Sequence, residues 1–263
     1  MTPLRIGISG AAGRMGQRLI ALATADTELE VVAAFDAPGH AKIGADAGET
    51  AGIGKIGLAI TAELERKVDV VIDFSSSKGT EAIVARCLEL KAPLVFATTG
   101  TTPHQDALVR DAATHLPVLV SPSMSMTVNV AMKLCEMAAR TLKDKDADVE
   151  IIEKHHRFKA DSPSGTALKF GRIIAEEMKL DRHCHGREGV VGQRPHDEIG
   201  YHAVRLGDNP GEHTILFGLL GETLEITVKA SNRDCYALGA LTAAKFLHGK
   251  SPGLYGMNDV LGL

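Results

Sequence analysis

The chain has 263 residues, enough for one large domain or two smaller ones with an ample core. Hydrophobic content of 44%, charged content of 24% and a net charge of -4 are ordinary globular values, and they exclude a general nucleic-acid binder. Cys87, Cys135, Cys184 and Cys235 are widely separated and form no CxxC pair, so neither a disulfide framework nor a zinc ribbon is indicated. Reduced thiols in a cytoplasmic protein are expected instead. No apolar run reaches the length of a membrane span, and the chain enters a strand pattern without a charged-then-apolar leader.

Leu4 to Ser9 is a short apolar run of the kind a buried parallel strand shows. It leads into Gly10-Ala11-Ala12-Gly13-Arg14-Met15-Gly16 and then a helical spacing of Met15, Leu19, Leu22 and Ala23. Strand, glycine turn and helix form the first unit of a dinucleotide-binding fold, with backbone amides free to approach a pyrophosphate. The spacing is GxxGxxG rather than GxGxxG, and the same turn can also serve a tight strand-to-helix connection without a ligand. A second strand, Val31 to Phe35, ends at Asp36, placed to accept hydrogen bonds from adenosine ribose hydroxyls. A carboxylate there repels a 2′-phosphate, and no arginine adjoins it. The cofactor reading is therefore NADH and/or NADPH, leaning to NADH, although His40 and Lys42 lie nearby.

Residues 39–66 are rich in Gly and Ala and show no clear element. Strands are expected at Val68 to Phe74, Pro93 to Ala97 and Val118 to Val120, and helices at Glu81 to Leu90 and Pro103 to His115. The strands exit into loops rich in Ser and Thr, including Thr98-Thr99 and Ser121-Pro122-Ser123-Met124. In an open α/β sheet that edge binds ligands, and the same hydroxyls can cap the helices that follow.

From Thr127 the pattern changes. A helix to Lys143 precedes a strand at Asp148 to Glu153, a helix at Gly165 to Leu180, and strands at Ile199 to Leu206, Thr214 to Leu220 and Thr223 to Ala230. The turn signal Asp208-Asn209-Pro210-Gly211 joins the first two of these three strands. A last helix, Asp234 to Leu247, is expected to pack back on the first part of the chain. The fold class is α/β: a Rossmann-like nucleotide-binding domain, residues 1–126 plus 235–263, with an inserted α+β substrate-binding and oligomerisation domain, residues 127–234.

The densest chemistry lies in Glu150 to Leu168. It gathers His155, His156, Lys159 and a Ser164-Gly165-Thr166 turn between a strand pattern and a helix whose first amides are free. Such amides bind anions, and the imidazoles and ammonium supply protons and positive charge. A site for a small carboxylated substrate follows. His155 and His156 are neighbours that an extended chain points apart, and His183-Cys184-His185, read as a solvated loop, lacks partners at zinc spacing, so no metal is expected.

This stretch resembles the signature of the dihydrodipicolinate (4-hydroxy-tetrahydrodipicolinate) reductase family, close to E-x-x-E-x-H-H-x-x-K-x-D-x-P-S-G-T-A, with every fixed position met. The glycine turn at 10–16, the Thr98-Thr99-Gly100 loop, and Arg205-Gly207-Asp208 before Gly211-Glu212-His213-Thr214 are similar to the family's as well. One loop departs: where the family has A-N-x-S-x-G-V-N, Ser123 replaces an Asn and Thr127 a Gly.

The resemblance implies a cytoplasmic homotetramer of lysine and diaminopimelate synthesis that reduces a small cyclic dicarboxylate with NAD(P)H. It implies His155 as proton donor or acceptor, Lys159 as a second donor, and His156, Ser164, Gly165 and Thr166 as substrate contacts. Gly10, Ala11, Ala12, Gly13, Arg14, Met15, Asp36, Ala97, Thr98, Thr99, Ser121, Pro122, Ser123 and Met124 are the expected cofactor contacts. Two other readings fit the architecture: a different NAD-dependent amino-acid or hydroxy-acid dehydrogenase, and a nucleotide-sensing protein without catalysis.

Overall fold

The computed structural model describes residues 2–263. In chain order the elements are β1 (Leu4–Ser9), α1 (Arg14–Ala25), β2 (Leu29–Phe35), α2 (Ala47–Thr50), β3 (Ile60–Thr61), β4 (Val70–Asp73), α3 (Thr80–Leu90), β5 (Leu94–Phe96), α4 (Pro103–Ala112) and β6 (Pro117–Val120). There follow α5 (Met126–Leu142), β7 (Asp148–His155), α6 (Gly165–Met178), β8 (Arg182–His185), β9 (Glu198–Arg205), β10 (Glu212–Leu219), β11 (Glu222–Lys229), α7 (Asp234–Leu247), β12 (Gly253–Tyr255) and α8 (Met257–Leu261). The described residues form two compact units, one running up to Met126 and resuming at Arg233–Leu263, the other Thr127–Asn232.

The first unit is a seven-stranded parallel sheet in the order β12-β6-β5-β4-β1-β2-β3. Its central strands β1, β4 and β5 are mostly apolar because both faces are covered, with Arg5, Ser9 and Asp73 the polar exceptions. Val70 and Ile72 join Ile6, Ile8 and the α1 and α7 residues Leu19, Ala240 and Leu247 in one core, while Val71, Leu94 and Phe96 join Ile83, Cys87 and Val109 of α3 and α4 in the other. Asp46 orders the Gly-rich segment that carries no periodicity: its carboxylate accepts the amides of Gly48, Glu49, Ile56 and Gly57.

The second unit is a mixed five-stranded sheet in the order β11-β10-β7-β9-β8, with α5 and α6 against one face. β7 alternates half-buried and buried residues along its length, so Val149, Ile151, Glu153 and His155 all turn to the helix side. The Asp208–Gly211 turn does not make a hairpin of its flanking strands. β9 pairs in parallel with one edge of β7 and β10 antiparallel with the other. The segment His183-Cys184-His185 is also not a loop but part of edge strand β8, paired with β9. Its ring residues stack on Tyr201, with centroids 5.7 Å away for His183 and 5.2 Å for His185.

Candidate active site

In the first unit the carboxyl edge of the parallel sheet carries the expected cofactor residues. Gly10 has φ 73, and a Cβ there would stand 2.7 Å from the Phe74 carbonyl oxygen; one on Gly16 would overlap the Gly10 carbonyl oxygen. The turn therefore closes tightly under α1 only with glycine. Ala11 N donates to Phe35 O (3.1 Å), Ala12 N to Asp36 Oδ2 (2.9 Å) and Gly13 N to Gly10 O (3.0 Å). Gly13 and Arg14 are exposed and Met15 is half-buried; Gly13, the N-cap of α1, offers no side-chain cap. First-turn amides are thus bare toward an anion, and the residues fit a dinucleotide pyrophosphate. Asp36 Oδ1 also accepts Ala37 N (2.8 Å), so the acid lies at the end of β2 beside the glycine turn.

Further along that edge, Ala97 N donates to Asp73 O (3.0 Å), and buried Thr98 donates its hydroxyl to Asp73 Oδ2 (2.7 Å), leaving Thr99 exposed. Ser121 donates to Ser123 O (2.7 Å). Pro122 is exposed, and Ser123 and Met124 are buried where α7 presses on this loop: a Cβ on Gly239 would overlap the Met124 carbonyl oxygen. Thr98, Ser121 and Met124 therefore shape the edge through internal contacts.

In the second unit the chemistry gathers at the end of β7. His155 is buried and its Nδ1 lies 2.5 Å from Glu153 Oε2. Glu153, 1% exposed, also accepts Arg205 Nη1 and Nη2 (2.8 Å each) and Ser164 N (3.0 Å). Burial alone would raise the Glu153 pKa. Donation from His155 and Arg205 outweighs it and holds the carboxyl down at about 2.

Ser164 caps α6 by accepting Ala167 N (3.1 Å), and its hydroxyl meets His213 Nε2 at 3.0 Å. The expected substrate residue Ser164 is thus buried and supports the turn through its side chain, while Gly165 is exposed and Thr166 half-buried at the helix N-terminus. Gly165 and Thr166 amides have no carbonyl one turn back to bond. Lys159, half-buried, pairs with Asp161 at 2.8 Å, and half-buried His156 begins the same loop, its carbonyl accepting Lys159 N (3.1 Å).

Glu153, Arg205 and His213 lie within the family-like motifs quoted above, which give them no role; the structure makes them neighbours of His155 and Ser164. Glu153 had a legible signal, since it stands two residues before His155 on one strand face. Arg205 and His213 come in through register, opposite His155 and Glu153 respectively.

His213 gives the site an acid-side signature. Burial, then the charge of His155, lowers its pKa from 6.5 to about 4, with Lys159 acting in the same direction and Glu153 and Glu212 against it. The unfolded chain binds this proton below 6.5 and the folded chain only near 4, so stability falls as pH drops through that window, by about 3 kcal/mol. Glu153 continues the loss from 4.5 to about 2. Urea unfolding followed by circular dichroism should show both stages. His213→Gln should remove the first stage; a full loss between pH 6.5 and 4 in that variant would assign it elsewhere.

Residues 4–124 match the family described as dihydrodipicolinate reductase, N-terminus, and residues 127–261 match dihydrodipicolinate reductase, C-terminus. The chain belongs to the dihydrodipicolinate reductase family. A 4-hydroxy-tetrahydrodipicolinate reductase of Rhodopirellula baltica is 50% identical over 99% of this chain and 97% of the relative. One of Hahella chejuensis is 45% identical over 98% and 99%. Among solved structures, a dipicolinate-bound dihydrodipicolinate reductase from Paenisporosarcina sp. TG-14 superposes with TM-score 0.76 at 26% identity, covering 98% of this chain and 99% of that one. A myo-inositol dehydrogenase of Corynebacterium glutamicum, 14% identical with TM-score 0.56 over 98% and 92%, shares the fold. Among the described residues no group of three or more His, Cys, Asp or Glu could hold a metal, and no helix is long and apolar enough to cross a membrane.

Proposed function

We propose that the chain catalyses the NAD(P)H-dependent reduction of 4-hydroxy-tetrahydrodipicolinate to tetrahydrodipicolinate in lysine and diaminopimelate synthesis. The observation that carries this reading is the convergence, in a member of this family, of a carboxylate-held imidazole, an ammonium and bare helix amides at the end of β7. The Paenisporosarcina relative is described with dipicolinate bound, a planar cyclic dicarboxylate, which fits a cradle of first-turn amides and cationic side chains.

A dinucleotide bound at the glycine turn would supply a hydride to C4 of the substrate ring. The hydroxyl leaves C4 as water together with a hydrogen from the neighbouring carbon, the resulting double bond accepts the hydride at C4, and one proton delivered to the neighbouring carbon completes the balance. His155 delivers the proton from Nε2 and is recharged by solvent. Lys159 stabilises charge developing on the ring and serves as a second donor. His156, Gly165 and Thr166 hold a substrate carboxylate, with Ser164 fixing the turn. In the first unit Gly10 to Met15 would receive the pyrophosphate, and Ala97 to Thr99 with Ser121 to Met124 would line the nicotinamide end.

The adenosine end carries the cofactor preference. Asp36 offers a carboxylate to ribose hydroxyls and no arginine adjoins it, which favours NADH. Asp36→Ala should lower the NADH over NADPH preference in kcat/KM about tenfold, the scale of one lost charge-assisted hydrogen bond plus relief of repulsion. An unchanged ratio would remove Asp36 from the adenosine site.

We place the enzyme in the cytoplasm, in keeping with its four free thiols, and in a homotetramer. The sheet face opposite α5 and α6 carries Ile152, Val204 and Leu216, which alternate with the helix-side core residues and take no part in that core. Sedimentation would measure the oligomer directly. The reaction is tested by following reduced-nicotinamide absorbance while a separate synthase makes substrate from pyruvate and aspartate semialdehyde. Synthase-dependent oxidation is expected. Cofactor binding without oxidation would overturn the reductase reading in favour of another substrate or a sensor.

A further inference from the structure

We propose that Glu153 is the positioning residue for proton transfer: it fixes the His155 imidazole in the tautomer that leaves Nε2 as the working atom and ties that ring to the carboxylate-binding turn. The proposal rests on the reductase reading above and gives that site a residue acting through another.

The hydrogen-bond inventory of one carboxylate decides it. Glu153 Oε1 accepts Ser164 N and Arg205 Nη2, and Oε2 accepts Arg205 Nη1 and His155 Nδ1. An ionised carboxylate only accepts, so Nδ1 carries a hydrogen in the neutral and the charged ring alike. A proton gained or lost is then always the one on Nε2, for which the described residues provide no partner.

A merely structural ion pair would be complete without the imidazole. Burying a lone carboxylate costs several kcal/mol, and bidentate Arg205 with the Ser164 amide already offsets that cost. The short contact to His155 is additional. Geometry also links the two halves of the site. Glu153 reaches the ring two residues along β7 and, through Ser164 N, the first residue before α6, so the proton donor and the anion-binding amides share one anchor. The groups facing the ring from the other elements do not contest it. His213 on β10 presents its ring edge-on at 5.2 Å and 76°, with Nε2 turned to Ser164. Lys159 is a donor only, and Arg205 is committed to Glu153 and to Asp161 O.

Glu153→Gln tests this. An amide has one oxygen and one NH2 where the carboxylate has two acceptors. Ser164 N and Arg205 cannot become acceptors, whereas an imidazole nitrogen can. The oxygen therefore stays with Ser164 N and Arg205 Nη2, and His155 moves its hydrogen to Nε2. Nitrogen-15 NMR of the ring should report an Nδ1–H neutral form in the wild type and an Nε2–H form in Glu153→Gln. In the synthase-coupled assay kcat should fall on the order of 10–100-fold, part of what a positioned acid contributes, with substrate KM and NADH affinity within about twofold.

Arg205→Lys is the structural control. It should lower thermal stability as much as Glu153→Gln does, yet keep the Nδ1–H tautomer and lose less than about fivefold in kcat. Parallel losses of kcat in the two variants, or a wild-type ring that is Nε2–H, would overturn the proposal, the latter even if Glu153→Gln fails to fold. A wild-type chain that shows the tautomer and its inversion but no reductase activity would sink the proposed reaction and leave the positioning role standing.

Discussion

Replacing His155 with alanine lowers kcat for the reduction by about 10²–10⁴-fold, the range that a positioned proton donor contributes. Cofactor affinity should change by less than about twofold, because the glycine turn and Asp36 belong to the other compact unit. The local fold should survive. Glu153 keeps Arg205 on both oxygens and the Ser164 amide on one, so removing the ring leaves its buried charge paired. Circular dichroism should match the wild type, and added imidazole should restore a measurable part of the rate. Turnover equal to wild type would remove His155 from proton transfer. The double variant with Glu153→Gln adds a sharper check. If Glu153 acts through His155, the pair should be no slower than His155→Ala alone, since groups that work as one unit are not additive.

The first unit was largely legible because a parallel sheet buried on both faces writes its strands as apolar runs, and Gly10, Gly13 and Gly16 punctuate the first crossover. The elements that escaped are those that tertiary pairing creates. β3 and β12 have two and three residues, too few for any period. β8 reads Arg-His-Cys-His, mostly exposed, and is a strand only because β9 lies beside it. The turn at Asp208–Gly211 correctly marks a reversal of direction. Adjacency in the chain says nothing about β7 standing between the two strands it joins.

The same distinction divides the candidate site. Glu153 and His155 share a face by the two-residue period of a strand, so their contact was available from the sequence. The guanidinium of Arg205 and the ring of His213 arrive by the registers of β9 and β10, over fifty residues downstream, which no local pattern encodes. Ser164 shows the converse. Its hydroxyl belongs to a sequence motif suited to substrate, and the fold employs it as the α6 cap. Motif membership indicates that a residue serves the site, and packing decides whether it does so by touching the ligand or by holding what does.

Lys159→Ala should lower kcat by about 10²–10³-fold, the scale of one preorganised charge withdrawn from a transition state, and raise substrate KM several-fold. The loop that carries Lys159 is pinned at several points. Arg157 N donates to Gly207 O (3.1 Å), Lys159 N to His156 O (3.1 Å), and Arg205 Nη2 to Asp161 O (2.7 Å). The ammonium is therefore presented on a fixed turn, with little ordering left to be done when substrate arrives. Its resting partner is Asp161, 2.8 Å away and 59% exposed. Such a pair contributes about 0–1 kcal/mol, so passing the ammonium from Asp161 to a substrate carboxylate costs little. Lys159→Arg separates charge from chemistry. A guanidinium keeps the positive charge but does not give up its proton, so KM should return to within about twofold of wild type while kcat stays at least about tenfold low. Recovery of kcat in the arginine variant would reduce Lys159 to an electrostatic anchor and leave His155 as the sole proton donor.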